Sequence, residues 1–214
     1  MKARWEGTLL ASMLLGGSLV MPVEAPAYTP GETGETGETA VETTALLEAI
    51  RTATRRFESV EVALAEGYVP DPTGRCISAA SEGLPGELGG MGIHYLRPDL
   101  LGLSASEPRV DGTGVHTDFL NPAILLYEPQ EDGTLKLAGV ENLVFQKAWH
   151  AAGNSAPPTF AGRSWDTMAD DPATAIDEAH GFEPHYDQHV WFSDDGTVHL
   201  ESFNPRVSCT HHHS

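Results

Sequence analysis

Basic residues are scarce in this chain. Among its 214 residues, 12 Lys+Arg face 31 Asp+Glu, a formal net charge of -19, and only three are lysines (Lys2, Lys136, Lys147). A surface so acidic repels phosphate backbones and anionic lipid, so it excludes nucleic-acid partners and, once a leader is removed, membrane partners. A small-molecule or macromolecular ligand stays unnamed by composition. Cysteine is sparse too, with Cys76 and Cys209 alone. No serine sits in a strand-to-helix nucleophile elbow, which removes Ser/His/Asp catalysis, and no glycine loop that could cradle phosphate precedes a helix. Past the leader, no apolar run is long enough to cross a bilayer.

Residues 1–25 read as a secretory signal peptide. Lys2 and Arg4 form a positive start, residues 8–21 an apolar core, and Val23-Glu24-Ala25 a small-residue ending. Cleavage and retention as an anchor both stay open. No cysteine lies near the cleavage point, so lipid modification is not expected. Export, to a secreted or periplasmic location, places Cys76 and Cys209 where a disulfide persists. That bridge would tie the end of the helical region to the last strand. Closing so long a loop is worth roughly 4–5 kcal/mol by chain entropy. Two separate buried thiols are the other reading.

Residues 26–43 form an acidic linker containing GETGETGETA, which has no large apolar side chain to bury and is expected to be a flexible tether. Residues 44–210 form one domain, and residues 211–214 a tail whose His211, His212 and His213 can bind metal adventitiously. Within the domain, Leu47, Ile50, Ala53, Phe57, Val60 and Leu64 recur at helical spacing and predict a helix over 44–66 that ends at Gly67. Arg51, Arg55, Glu58 and Glu61 form its solvated face. Strands are predicted over 91–96, 123–127, 135–145, 181–192 and 197–203, with turns at Asp132-Gly133 and Asp195-Gly196, and a short helix over 172–180. The fold class is α+β: an antiparallel sheet of about five strands, open or barrel-like, packed with one long N-terminal helix. The long connection 147–181 has the length of a functional loop or lid.

Alternation along the strands singles out a set of polar residues. In GFEPHYDQHVWF (181–192), His185, Asp187, His189 and Trp191 share one face. In 135–145, Glu141 falls among Leu135, Leu137, Leu143 and Phe145, and the hairpin turn adds Ile124, Leu126 and Glu128 to that face. His94 shares its face with Gly92 and Leu96. A lone buried carboxylate is expensive, so Glu141 needs a partner: a metal, or an arginine such as Arg97 or Arg206. His94, Glu141 and His189 together resemble a two-histidine, one-carboxylate site with open positions. His185 stands ~13 Å from His189 along a regular strand and becomes a fourth ligand only if the strand bends near Pro184. Asp187 and Glu128 are candidates to orient a ligand side chain from behind or to transfer a proton. His116 and His150 fall in or beside loops, and His180 suits the end of the short helix.

At GGMGIHYL (89–96), PAILLYEP (122–129), GVENLVF (139–145), PHYDQHVW (184–191) and FNPRVSC (203–209), the chain resembles a family of exported bacterial proteins to which no activity is attached. The likeness spans residues 44–209. It implies that leader and linker are peripheral, and that His94, Glu141, His189 and Cys209 belong to the family pattern. Ser193-Asp194-Asp195-Gly196 stands where the family has a longer turn containing Asn-Pro.

These readings give an exported protein with a mononuclear His/His/Glu site for a divalent transition metal (Zn, Cu, Fe or Mn), as a metalloenzyme or as a non-catalytic metal binder. The alternative is a metal-free, disulfide-stabilised extracytoplasmic binding or structural module.

Overall fold

The computed structural model describes residues 35–174, 176–193 and 198–213, without the side chains of 35–40 and 198. The leader, residues 26–34 of the linker and the turn at 194–197 lie outside these. The first helix, α1, spans Glu35–Thr54, so it begins inside the Gly-Glu-Thr repeat and not at residue 44. Glutamates suit a helix N-terminus, where their charge meets the positive end of the helix dipole. The helix then tightens to a 3-10 turn, Arg55–Glu58, and restarts as α2, Val60–Ala65. Ser59 causes the restart: its hydroxyl accepts from Val62 N at 3.4 Å as an N-cap. The break resets the helical phase. Phe57 and Ala63 are buried, while Leu64, expected on the apolar face, is 47% exposed.

The sheet has eight strands, all antiparallel: β1 (Val69–Pro70), β2 (Cys76–Ser78), β3 (Gly90–Leu96), β4 (Ile124–Pro129), β5 (Leu135–Phe145), β6 (Asp166–Met168), β7 (His185–Phe192) and β8 (Val198–His199). Its order is β1-β3-β4-β5-β7-β6, with β2 also on β3 and β8 also on β7. The sheet is open, not a barrel. Its outer strands are two or three residues long, which leaves little edge to recruit another chain. The expected short helix over 172–180 is instead a run of turns and bends among its described residues.

Each face of the sheet carries its own core. On one, Tyr95, Leu125, Tyr127, Val140, Val144 and Val190 pack against Ile50, Phe57, Ala63 and Tyr68. On the other, Leu96, Ile124, Leu126, Leu143, Phe145 and Trp191 pack with Met91, Phe182 and Val207. A bulge gives β5 one extra residue, since Leu126 pairs with Gly139 but Tyr127 pairs with Leu137. Leu137 thereby turns to the helix side and Ala138 to the other, reversing the expected alternation at that end.

The last segment does not form the expected strand 197–203. Among its described residues only Val198–His199 pairs with β7, and Asn204 bridges to Gly90 at the opposite side of the sheet. Residues 201–209 therefore cross the second face, held by Trp191 Nε1 donating to Glu201 O and Ser208 N donating to Glu128 Oε1. Cys209 lies in this crossing segment rather than in a strand, and its disulfide reaches Cys76 in β2 rather than a helix end.

Candidate metal centre

The polar residues gather on the face crossed by the C-terminal segment. Glu141 occupies the middle of β5, with His189 of β7 directly opposite on one side and Ile124 of β4 on the other. His94 of β3 pairs with Leu126 and lies diagonally across β4. Regular pairing between β5 and β7 from His185 to Trp191 fixes which side chains face the same way. Gly139, opposite Trp191, shapes the flank: a Cβ there would come within 2.8 Å of Trp191 Cε3. Without it the indole lies over β5 and stacks on His189, with ring centroids 5.3 Å apart and planes 10° from parallel.

His94 Nε2 stands 3.3 Å and His189 Nε2 3.5 Å from the same atom, Glu141 Oε2. One donor atom from each of the three residues falls within 4.8 Å of the others, and all three residues are buried. Donor atoms bound tetrahedrally at ~2.1 Å stand ~3.4 Å apart, so these spacings suit the edges of a metal's coordination shell. Hydrogen bonding accounts for them in part at most: His94 Nε2 is close enough to Glu141 Oε2 to share a proton, but both ring nitrogens of His189 are buried without a hydrogen-bond partner. Arg97, an alternative partner for Glu141, is paired with Asp99 at 2.7 Å.

Burial lowers the His189 pKa to about 4, against the pull of the Glu141 charge, so this imidazole is neutral at physiological pH. Burial also lowers His94, but contact with Glu141 and the charges of Glu141 and Asp71 outweigh it, and its pKa ends above the ordinary value. Burial raises Glu141, yet the neighbouring histidines prevail and hold it below the usual carboxylate range. A neutral imidazole beside a carboxylate is a donor set ready for a cation.

The remaining sequence-derived candidates separate. His185 stays outside the trio because β7 runs straight, without the bend that would bring it to the same ion. Its Nδ1 lies 2.8 Å from Glu183 O, which places the proton there and leaves Nε2 as the acceptor. Burial lowers its pKa to about 4. Asp187 is buried 3.8 Å from His185 Nε2, and burial first, then the Glu141 charge, raises its pKa well above the usual range. Glu128 points to this side of the sheet but from its far end, where it holds Ser208 N and Gln130 Nε2 and takes no part in the cluster. His116 and His150 are tied to backbone carbonyls, at Asn121 and Asn154.

Next to the trio is a small cavity lined by His94, Glu141, His185 and Asp187, and by two residues the sequence did not assign to the site, Asp71 and His180. Asp71 N donates to His94 O, and its carboxylate is held by Thr73. His180 ends no helix; it stands in a turn with φ of 56° and is buried. The one signal for it in the sequence was its place in an unusually long loop. Comparison with known protein families, with curated proteins and with solved structures finds no match to this chain.

Proposed function

We propose that this is an exported metalloprotein that holds one divalent transition-metal ion on His94, Glu141 and His189, with a fourth position toward the adjacent cavity. One observation carries the reading: two imidazole nitrogens stand at coordination-shell distance from one buried carboxylate oxygen, and that oxygen lacks a hydrogen-bond partner. In a metal-free module these atoms would be satisfied by one another, because a half-satisfied buried network costs more than an apolar core. The mixed nitrogen and oxygen donors suit Zn, Cu, Fe or Mn. A metal there would act as a Lewis acid and lower the pKa of bound water. Asp187, whose burial favours the protonated form, would supply a proton donor, and His185 Nε2 an acceptor. The Cys76–Cys209 disulfide supports an oxidising compartment.

Metal content per chain, measured after replacing His211, His212 and His213 by serine, tests this. About one equivalent is expected, falling to background when His94→Ala and His189→Ala are combined. Unchanged stoichiometry in the double variant overturns the reading.

A further inference from the structure

What such a centre can bind is restricted by the cavity beside it, and the following rests on the metal reading above. The space open to the centre of a water-sized sphere is about 10 Å³, close to the least that holds a single water. His94 and Glu141 form part of its wall; Ile77, Met91 and Phe182 close it with apolar surface. No ring or branched molecule fits that space.

His180 is the unusual wall. Its φ of 56° is a conformation that non-glycine residues adopt at a cost of about 1 kcal/mol or more. The residue is 7% exposed; its Nδ1 lies 3.1 Å from Glu82 Oε2, while its Nε2 is buried without a hydrogen-bond partner. The loop that carries it is fixed from several sides. Val110 N donates to Gly181 O and Glu183 N donates to Val110 O, each at 2.9 Å. Arg109 Nε donates to Phe182 O at 2.8 Å, and Arg75 and Arg109 both pair with Asp177. A buried imidazole held this firmly, against backbone strain, with Nδ1 turned to Glu82 and Nε2 without a partner, has polar capacity at Nε2 for something that enters the cavity.

We infer that the metal's open position and the one-water cavity beside it together form the binding site for a small, unbranched inorganic ligand of one to three non-hydrogen atoms, of the size of water, dioxygen or peroxide. The ligand is held at one end by the metal and at the other by the imidazole of His180, which acts as a positioning residue.

The Co(II)-loaded full chain, with His211, His212 and His213 replaced by serine, provides the test, since its visible absorption reports on the coordination sphere. Azide, a rod one atom wide, is expected to shift the spectrum saturably, and imidazole to leave it unchanged. His180→Gly relieves the strained backbone and removes the ring. It is expected to bind Co(II) as before, to bind azide about ten-fold more weakly, as loss of one ligand hydrogen bond implies, and to admit imidazole. His180→Asn, which tolerates the same backbone and keeps an amide, should retain part of the azide affinity. An azide-silent spectrum on fully loaded protein, an imidazole response equal to that of azide in the unmodified site, or unchanged azide affinity in His180→Gly overturns the inference while leaving the metal reading intact. Failure of Co(II) to bind, or binding that survives His94→Ala with His189→Ala, overturns the metal reading and this one with it.

Discussion

The two faces of the sheet bury different kinds of polar group: anchored amides and phenols on one, a cluster of ionisable side chains on the other. On the helix face, Tyr68 donates to Pro122 O at 2.6 Å and Tyr127 to Phe57 O at 2.7 Å. Asn142 and Gln188, opposite each other on β5 and β7, are anchored through Asn142 Oδ1, which accepts from Ala123 N, and through Gln188 Nε2, which donates to Leu200 O. Each of these side chains is fixed by at least one buried hydrogen bond, although Asn142 Nδ2 and Gln188 Oε1 have no partner. On the other face, His189 has no hydrogen bond at either ring nitrogen, and Glu141 Oε2 has none. The strands are the same; only the alternate side chains differ. Polar side chains are anchored by hydrogen bonds on one side and gathered into an ionisable cluster on the other, and the second face is closed by further means. Those means are the crossing segment 201–209 and the disulfide that fastens it to β2.

Breaking the staple is therefore the most damaging change expected. The disulfide joins residues 133 apart, and chain entropy puts its contribution at about 4–5 kcal/mol. Cys76→Ser combined with Cys209→Ser should lower urea-unfolding stability by about that amount and also weaken metal retention. Intact metal affinity in the double variant would show that the site face does not depend on the staple. The helix face should respond differently. Phe57→Ala removes a fully buried ring and should cost about 3–5 kcal/mol, with metal stoichiometry unchanged. A loss of metal there would mean that the two faces are coupled through the strands.

How much of this contrast the chain announces depends on periodicity. His94, Glu141 and His189 were legible because a period of two assigns each to a face, and the hairpin links two of the strands in register. Period alone could not say whether β7 bends, and so it could not settle whether His185 joins the trio. The bulge at Ala138 was hidden, since one extra residue leaves no mark in a strand already rich in leucine and valine. Ser59 reads as an ordinary polar residue on a helix until its hydroxyl is seen capping α2. His180 and Asp71 come from loops, whose paths are set by contacts distant in sequence, such as Arg109 with the loop at 177–183. The disulfide followed from redox compartment and arithmetic, although the element carrying each cysteine did not.

A middle-sized effect sharpens the comparison by making the site face resemble the helix face. His94→Leu, Glu141→Leu and His189→Leu together replace the clustered polar atoms by apolar ones. In chelator the triple variant should match the parent or exceed it by about 1–4 kcal/mol, as replacement of buried ionic groups by apolar ones often does. Added metal should stabilise the parent by about 2.7 kcal/mol at a free concentration one hundred times Kd, and leave the triple variant unmoved. Thermal unfolding with and without metal measures both. Collapse of the triple variant even in chelator would mean that the trio supports the fold itself.

The smallest effect concerns the loop that brings His180 to the site, and it appears in acid. Glu82 is buried and accepts from Arg75 Nη2 at 3.0 Å. Burial raises its pKa, but contact with His180, the Ser81 hydroxyl and the Arg75 charge outweigh burial, so the folded value lies below the ordinary 4.5. A carboxylate with a depressed folded pKa contributes stability that is complete above its unfolded value and is lost as pH falls through the folded one. Glu82→Gln should therefore be less stable than the parent by about 1 kcal/mol at neutral pH, as expected for loss of a charge-assisted hydrogen bond. The difference should hold down to the ordinary carboxylate range and shrink toward zero below it, in urea unfolding repeated across that range. A gap that persists undiminished in strong acid would show that Glu82 acts by packing alone, and that the cradle around His180 is not held by charge.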